Sequence, residues 1–317
     1  MKTAFFASDP IALRAIEYLR ASKDFPLACV VSNPDKPKGR GKKLQPNDVS
    51  AWAIENGVEL LRPEKGPTDE TVARLRELGV ELLIVMAYGC MLRKNILEYS
   101  KYPCLNIHAS LLPELRGASP IETAIALGLK ETGVSLMKII QRMDAGPVCA
   151  VKKVSIGERE TSHSLREKIS CMSPELLDEN LNSVKNFAAE FVGQDDSKAT
   201  YARKLSKDDM RLNFSLDAKV LDARIRAFGF GIFEYGGELI KVRDAFAIDA
   251  PETAAGKVLR SDGKGLVVAC GKGALEVKSL QRPCAKMLCA EEFFKGFSIA
   301  RGAAIESFKN ESLLRER

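Results

Sequence analysis

Residues 3–19 read TAFFASDPIALRAIEYL, and this stretch sets the pattern for the N-terminal part of the chain. The apolar run Thr3–Ala7 has the length of a short buried strand. Asp9 and Pro10 come next, and helices commonly begin at a proline that follows a capping side chain. Apolar residues then recur at helical spacing, at Ile11, Leu13, Ile16 and Leu19. The stretch therefore predicts a strand, a tight turn and a helix, which is how an α/β domain begins.

The alternation of strand and helix continues along the next hundred residues. Further apolar runs are Leu27–Val31, Leu82–Met86 and Cys104–His108. Runs of this kind are typical of strands that are covered on both faces. Helical patterns lie between them, for example over Asp69–Leu78. The sequence predicts an α/β domain with a doubly wound, mostly parallel sheet.

The C-terminal part of the chain has a different pattern. A helical pattern over Ser162–Phe191 is followed by the polar stretch Gly193–Lys198, which is typical of a linker. Beyond Leu212, short strand-like runs alternate with Gly and Asp turns and predict a smaller, mainly β domain of barrel size. We therefore predict one domain over residues 1–190, a linker over 191–207 and a second domain over 208–317.

The composition is that of a globular protein with a mild excess of positive charge. The 317 residues carry a formal net charge of +6, most of it after Tyr201, which fits a polyanionic partner. Eight cysteines form no Cys-x-x-Cys pair, and with only two histidines they predict reduced buried thiols and no metal site. The chain has no signal-like start and no apolar run of about 18 residues, so we expect a cytoplasmic protein.

Three polar residues stand out as candidates for catalysis. Asn106 and His108 are two apart on a predicted strand, so their side chains project from the same face. Asp144 lies in a predicted turn over Met143–Pro147. Transfer of an acyl-type group to an amine needs a base for the amine's proton, a donor to the developing oxyanion and a group that orients the base. Imidazole, carboxamide and carboxylate supply these functions without a metal or a covalent intermediate.

Each of these residues also has a structural explanation. A histidine at a strand end is often a satisfied structural residue, and an Asp in a turn is usually a turn residue. The other histidine, His163, follows Thr161 and Ser162 and is interpreted as part of a helix cap. The sequence around the three candidates therefore has to decide between the two explanations.

That surrounding sequence resembles the signature of the folate-dependent formyltransferase family. Residues 106–113 read NIHASLLP, followed by Arg116-Gly117, Pro120 and Met143–Gly146. The resemblance implies a Rossmann-like domain, 10-formyltetrahydrofolate as co-substrate and no metal. It implies catalytic roles for Asn106, His108 and Asp144. It also implies folate-binding residues, which are Ser110, Leu111, Leu112, Pro113, Ala87, Tyr88 and Gly89.

A basic segment after the second strand suggests the amine that is formylated. Its positive residues are Lys36, Lys38, Arg40, Lys42 and Lys43, interleaved with Pro and Gly. Most charge runs are solvated loops. This one resembles the insertion with which the family members that act on methionyl-tRNA grip the acceptor stem, and such a loop can reach phosphates and base edges. Tyr201–Lys207 and Ile225–Phe228 resemble the start of their OB-like C-terminal domain. The implied partner is initiator methionyl-tRNA, bound by a monomer.

The sequence departs from the family pattern at a few positions, and two other functions stay open. Ala7-Ser8, Arg93, Glu114 and Gly229–Gly231 differ from the usual residues, but none belongs to the catalytic set. One alternative is a formyltransferase for a glycinamide nucleotide or a nucleotide-linked amino sugar, which has no evident need for the basic segment. The other is a tRNA- or folate-binding protein without activity, for which Asn106, His108 and Asp144 would not be required together.

Overall fold

Most strands of the N-terminal part belong to one sheet. The computed structural model describes residues 1–38, 41 and 43–315. In chain order the strands are β1 (Thr3–Phe6), β2 (Leu27–Val31), β3 (Lys36–Lys38), β4 (Lys43–Gln45), β5 (Glu59–Leu61), β6 (Leu82–Val85), β7 (Leu105–His108), β8 (Arg116–Gly117), β9 (Glu131–Lys138) and β10 (Val148–Ser155). The helices are α1 (Leu13–Ala21), α2 (Asp48–Glu55), α3 (Asp69–Glu77), α4 (Lys94–Leu97), α5 (Pro120–Ala126) and α6 (Ser162–Lys185).

Among the described residues, seven of these strands pair in the order β10-β9-β7-β6-β1-β2-β5. The five strands from β7 to β5 are parallel, whereas β9 and β10 join antiparallel at one end. The chain runs outward from β1 to β2 and β5 and then returns to β6 on the other side of β1. The switch point of this doubly wound sheet therefore lies between β1 and β6, where ligands bind at the carboxyl ends of the strands. The predicted α/β sheet is confirmed.

The first α/β unit forms as its sequence predicts. All four residues of β1 are buried. The Asp9 carboxylate accepts a hydrogen bond of 3.0 Å from the Ile11 N–H and caps a 3-10 turn, Pro10–Ala12, that leads into α1. Behind β1, Phe6 packs in a core cluster with Val31 and Val85 from the two neighbouring strands.

Helix α6 ends earlier than the predicted boundary near Phe191. Phe187 adopts a left-handed conformation with φ of 56°. The Phe187 N–H donates to the Val184 carbonyl and the Ala188 N–H donates to the Ser183 carbonyl, the two bonds of a Schellman motif. A phenylalanine is unusual at this position, and its ring stacks on Tyr102 with the ring centroids 5.0 Å apart. The stacking contact offsets part of the backbone strain.

The C-terminal part forms an antiparallel sheet with its own core. The elements from Tyr201 onward are β11 (Tyr201–Ala202), α7 (Ala218–Phe228), β12 (Gly231–Tyr235), β13 (Glu238–Ile248), β14 (Val258–Asp262), β15 (Gly265–Ala269), β16 (Ala274–Gln281), β17 (Leu288–Cys289) and α8 (Ala290–Gly296). Of these strands, β11 is not part of the sheet. The strand order is β12-β13-β16-β15-β14, and β17 pairs with β16. Leu221 of α7 and Phe293 of α8 pack against strand residues such as Val242. The predicted mainly β domain is confirmed.

The described residues divide into two compact units. The first comprises residues 1–118, 131–155 and 165–201, and the second comprises 119–130, 156–164 and 202–317. Helix α5 packs on α7 within the second unit. In the same unit, Arg159 Nη1 donates to both carboxylate oxygens of Asp222, at 2.9 and 2.8 Å. The domain boundaries at residues 190 and 208 stay a prediction from the sequence.

All eight cysteines are unpaired, as the sequence predicts, but they are not uniformly buried. Cys171, Cys284 and Cys289 are exposed. Cys104 is buried, and its burial raises the pKa of the thiol to about 12. No helix among the described residues has the length and apolar character needed to cross a membrane.

Gly133 in β9 has no space for a side chain, and this leads to a stability prediction. A Cβ atom at Gly133 would lie 2.0 Å from the Lys152 carbonyl oxygen and 2.7 Å from Leu111 Cδ2. Because the first neighbour is backbone of the paired strand, we expect Gly133→Ala to lower the free energy of unfolding by about 2–3 kcal/mol. The urea midpoint measures this change. Gly193→Ala, where nothing lies within 4 Å, is the control, and equal midpoints for the two variants would contradict the prediction.

Candidate active site

Strand β7 positions Asn106 and His108 near the middle of the sheet. Asn106 pairs with Val85 of β6 on one side and Met137 of β9 on the other. Alternation along the strand directs Asn106 and His108 to the same face. Asn106 is partly exposed, whereas His108 is buried. The carboxamide is therefore accessible to a ligand, and the imidazole lies just beneath the surface.

A backbone carbonyl selects the tautomer of the neutral His108 ring. Its Nε2 lies 3.0 Å from the Leu115 carbonyl oxygen. A carbonyl only accepts hydrogen bonds, so the neutral ring carries its proton on Nε2 and keeps the lone pair on Nδ1. The Leu115 carbonyl therefore selects the tautomer, because the Asp144 carboxylate lies too far from the ring for a hydrogen bond. Nδ1 faces Asp144 Oδ2 at 3.8 Å. At this distance the negative carboxylate stabilises the imidazolium that forms when Nδ1 takes up a proton.

Asp144 is held in a strained turn by backbone groups. Its φ is 47°, a left-handed conformation that Asp tolerates better than most residues. The Gly117 N–H donates to Asp144 Oδ2 at 2.8 Å. Two residues later, a Cβ atom at Gly146 would lie 1.8 Å from the Lys138 carbonyl oxygen, so glycine is required there. The turn therefore sits directly on the end of β9.

The loop after β7 contains the four residues predicted to bind folate there. Ser110 is buried, and its hydroxyl donates to the Glu114 carbonyl at 2.5 Å. Its side chain thus holds the loop, while Leu111, Leu112 and Pro113 are partly exposed. The Leu112–Pro113 peptide bond is cis.

The loop after β6 contains the other predicted folate residues. Ala87 and Gly89 are exposed, but the Tyr88 ring is buried and packs edge-on against Phe6 with centroids 5.6 Å apart. Burial raises the pKa of the Tyr88 phenol, whose hydroxyl has no hydrogen-bond partner in the described part of the chain. Tyr88 therefore faces the core, and its carbonyl accepts a hydrogen bond of 2.8 Å from Asn33 Nδ2. Because β6 and β7 are neighbours, the two predicted folate loops follow adjacent strand ends.

The basic segment contains a hairpin rather than an irregular loop. Strands β3 and β4 pair antiparallel, with Lys38 opposite Lys43. Lys36 and Lys43 are exposed. Near the base of the hairpin, Arg62 forms an ion pair of 2.7 Å with Asp35. Arg40 and Lys42, together with the side chain of Lys38, lie outside the described residues.

Arg116, a motif residue with no predicted role, is fully buried. Its Nε and Nη2 donate to Gln194 Oε1 at 3.0 and 2.8 Å. Nη1 donates to the Tyr201 hydroxyl at 3.0 Å, and Nη2 also donates to Asp196 at 2.9 Å. Hydrogen bonds from Arg142 and Arg116 hold the pKa of Asp196 below its ordinary value. No sequence pattern pointed to Gln194, because the stretch around it has the composition of a linker.

The geometry of the site offers acid–base chemistry. In the described parts of the chain, no group of three or more His, Cys, Asp or Glu side chains could hold a metal ion. The arrangement provides a basic nitrogen, a carboxylate beside it and an accessible amide donor on the same strand as the base. This set is suited to the transfer of an acyl-type group to an amine.

Comparison with known proteins places the chain in a family. Residues 1–181 match the formyl transferase family, and residues 204–298 match the formyl transferase C-terminal domain. The chain belongs to the formyl transferase family and is an enzyme of that class.

Two relatives named methionyl-tRNA formyltransferase extend over almost the whole chain. The one from Methylococcus capsulatus is 37% identical over 306 residues, which cover 95% of this chain and 98% of the relative. The one from Thermotoga neapolitana is 34% identical over 310 residues, covering 96% and 98%.

Solved structures show the same fold at lower identity. An N-formyltransferase from Helicobacter canadensis, in complex with folinic acid and dTDP-3-aminofucose, superposes with a TM-score of 0.65 at 17% identity. It covers 91% of this chain and 100% of its own. HypX from Aquifex aeolicus in complex with tetrahydrofolic acid covers 100% of this chain and 51% of its own, with a TM-score of 0.59 at 16% identity. At these identities the likeness concerns the fold.

The Leu115 contact predicts which tautomer His108 adopts. In a long-range ¹H–¹⁵N spectrum of histidine-labelled protein above the titration range, we expect His108 to carry its proton on Nε2. The chain has only two histidines, so His163→Asn completes the assignment. A proton found on Nδ1 of neutral His108 would contradict the role of the Leu115 carbonyl.

Proposed function

We propose that this enzyme transfers the formyl group of 10-formyltetrahydrofolate to the α-amino group of methionyl initiator tRNA. The observation that carries the proposal is that His108 Nδ1 and Asp144 Oδ2 lie 3.8 Å apart. Asn106 lies on the same strand as His108. Similarity to methionyl-tRNA formyltransferases along nearly the whole chain supports this choice of amine. The products are formylmethionyl-tRNA and tetrahydrofolate.

In the proposed mechanism His108 is the general base. The amine attacks the formyl carbon, and Nδ1 accepts the proton that the amine loses. Asp144 stabilises the imidazolium that forms. The same proton then passes from Nδ1 to the folate nitrogen as its bond to the formyl carbon breaks. The ring thus returns to its neutral form, with no net proton taken up by the protein.

Asn106 is proposed to stabilise the oxyanion. When the formyl carbon becomes tetrahedral, its oxygen gains negative charge, and the Asn106 amide N–H is a suitable donor. The exposed parts of the two loops after β6 and β7 are proposed to bind the folate, namely Ala87, Gly89, Leu111, Leu112 and Pro113. Tyr88 and Ser110, which are buried, are proposed to support this surface from beneath.

The hairpin β3–β4 is proposed to bind tRNA. Lys36 and Lys43 are exposed on a β-ribbon, where ammonium groups can contact phosphates. Lys38, Arg40 and Lys42 belong to the same proposed surface by sequence. We propose that the enzyme acts on tRNA in the cytoplasm and as a monomer.

Transfer of labelled formyl groups tests the function. We expect transfer from 10-formyltetrahydrofolate to charged initiator tRNA, and none to free methionine or to nucleotide-linked amino sugars. A preference for an amino sugar would overturn the proposed substrate. Absence of transfer to any amine, with folate or tRNA still bound, would favour a binding protein.

Replacement of His108 by Ala tests the base. General acid–base groups typically contribute about 100-fold or more, so we expect kcat to fall by at least that factor. His163→Ala, at the exposed histidine, is the matched control and should retain the wild-type kcat. Full activity of His108→Ala would remove the proposed mechanism.

The hairpin is tested by Lys36→Gln/Lys43→Gln. We expect KM for methionyl-tRNA to rise several-fold and its dependence on salt to weaken by about one unit of logarithmic slope for each lost phosphate contact. KM for the folate should not change. Lys23→Gln/Lys65→Gln removes the same charge from exposed lysines elsewhere. If the control variant raises KM equally, the effect is not specific to the hairpin.

A further inference from the structure

Asp144 depends on a side chain that no motif identifies. Gln194 Nε2 donates to the Asp144 carbonyl at 2.9 Å and to the Gly146 carbonyl at 2.6 Å. Its Oε1 accepts the two hydrogen bonds from Arg116. A primary amide has two N–H donors and two acceptor lone pairs, so every hydrogen-bonding position of Gln194 is used.

Gln194 thereby connects the turn that contains Asp144 to the segment that binds the Asp144 carboxylate. Arg116 is followed directly by Gly117, whose N–H donates to Asp144 Oδ2. The carboxylate is thus fixed by one segment, and the backbone of its turn is fixed to the same segment through Gln194. All of these residues lie in the first compact unit.

The turn needs this external support. Asp144 has a left-handed backbone conformation, and Gln141, Arg142 and Met143 before it are exposed. Strained positions persist where the surrounding structure holds them. If the turn moves, the distance between Asp144 Oδ2 and His108 Nδ1 changes, and with it the stabilisation of the imidazolium.

We propose that Gln194 is a positioning residue that holds Asp144 at its working distance from His108. The inference rests on the proposed catalytic role of Asp144. The hydrogen bonds of Gln194 go to Arg116 and to the Asp144 and Gly146 carbonyls, so its effect passes through the Asp144 turn. Its amide is suited to this position because only a group that both donates and accepts can join the Arg116 guanidinium to two carbonyls.

Gln194→Glu separates the two halves of this role. The variant keeps an acceptor for Arg116 but presents an oxygen, in place of the N–H donors, to the Asp144 and Gly146 carbonyls. We expect kcat for formyl transfer to fall tenfold or more, because small displacements in an active site have large effects on rate. KM for folate and for methionyl-tRNA should stay within twofold, and the melting temperature should stay close to that of the wild type.

The matched control is Gln141→Glu, the same substitution at an exposed glutamine in the same turn. We expect it to retain the wild-type kcat. An equal loss of kcat in both variants would assign the effect to added negative charge and overturn the inference. Wild-type kcat for Gln194→Glu would overturn it as well.

A double-mutant cycle distinguishes positioning from general loss of structure. In an Asp144→Asn background, Gln194→Glu should lower kcat less than twofold further, because residues that act through one group are not additive. A full additional tenfold loss would mean that Gln194 acts independently of Asp144. If Asp144→Asn alone leaves kcat unchanged, the proposed role of Asp144 fails, and this outcome is distinct from a neutral Gln194→Glu.

Discussion

The burial of the Arg116 guanidinium is the constraint on which the arrangement of the candidate active site depends. Burying a charged group such as this one lowers the free energy of unfolding by several kcal/mol unless hydrogen bonds and a counter-charge compensate the lost hydration. Gln194, Asp196 and Tyr201 supply that compensation from a polar segment that comes long after Arg116 in the sequence. The segment is therefore fixed against the loop that carries Arg116. Gly117 and Gln194 also both bind Asp144. The position of the Asp144 carboxylate therefore depends on the hydrogen bonds that compensate the buried Arg116 guanidinium.

The sheet supplies the other half of the site. Strand β7 has neighbours on both sides, and Asn106 pairs with both β6 and β9, whereas His108 pairs with β9. Parallel strands with adjacent ends bring the loops after β6 and β7 together, and β6 borders the switch point of the fold. The sheet thus fixes the base and the amide donor, whereas the carboxylate is fixed by side-chain contacts from loops. The two kinds of support meet at the 3.8 Å gap between His108 and Asp144.

The sequence was informative where structure is local and uninformative where partners are distant. Apolar runs predicted β1, β2, β6 and β7, and Asp9-Pro10 predicted the start of the first helical segment. The spacing of Asn106 and His108 predicted a shared face. Gln194 could not be found in this way, because its partners are 48 to 78 positions away and its neighbours are polar.

Other differences have the same origin. The hairpin β3–β4 is short and rich in lysine, proline and glycine, so its composition resembled a loop. The end of α6 was predicted too late because a phenylalanine, rather than a glycine, takes the left-handed position. Tyr88 was assigned to a pocket by its place in a motif, but ring packing against Phe6 directs it inward. In each case a tertiary contact overrides a local preference.

The bond between His108 Nε2 and a main-chain oxygen bears on how this enzyme can evolve. A carbonyl belongs to every amino acid, so codon changes at position 115 leave that acceptor in place as long as the new residue accepts a φ of 52°. Substitutions at position 115 are therefore limited by the backbone conformation that the new residue must adopt and not by the chemistry of its side chain. A single nucleotide change can remove a carboxylate and with it the orientation of an imidazole that depends on it. The orientation of His108 does not depend on a side chain in this way.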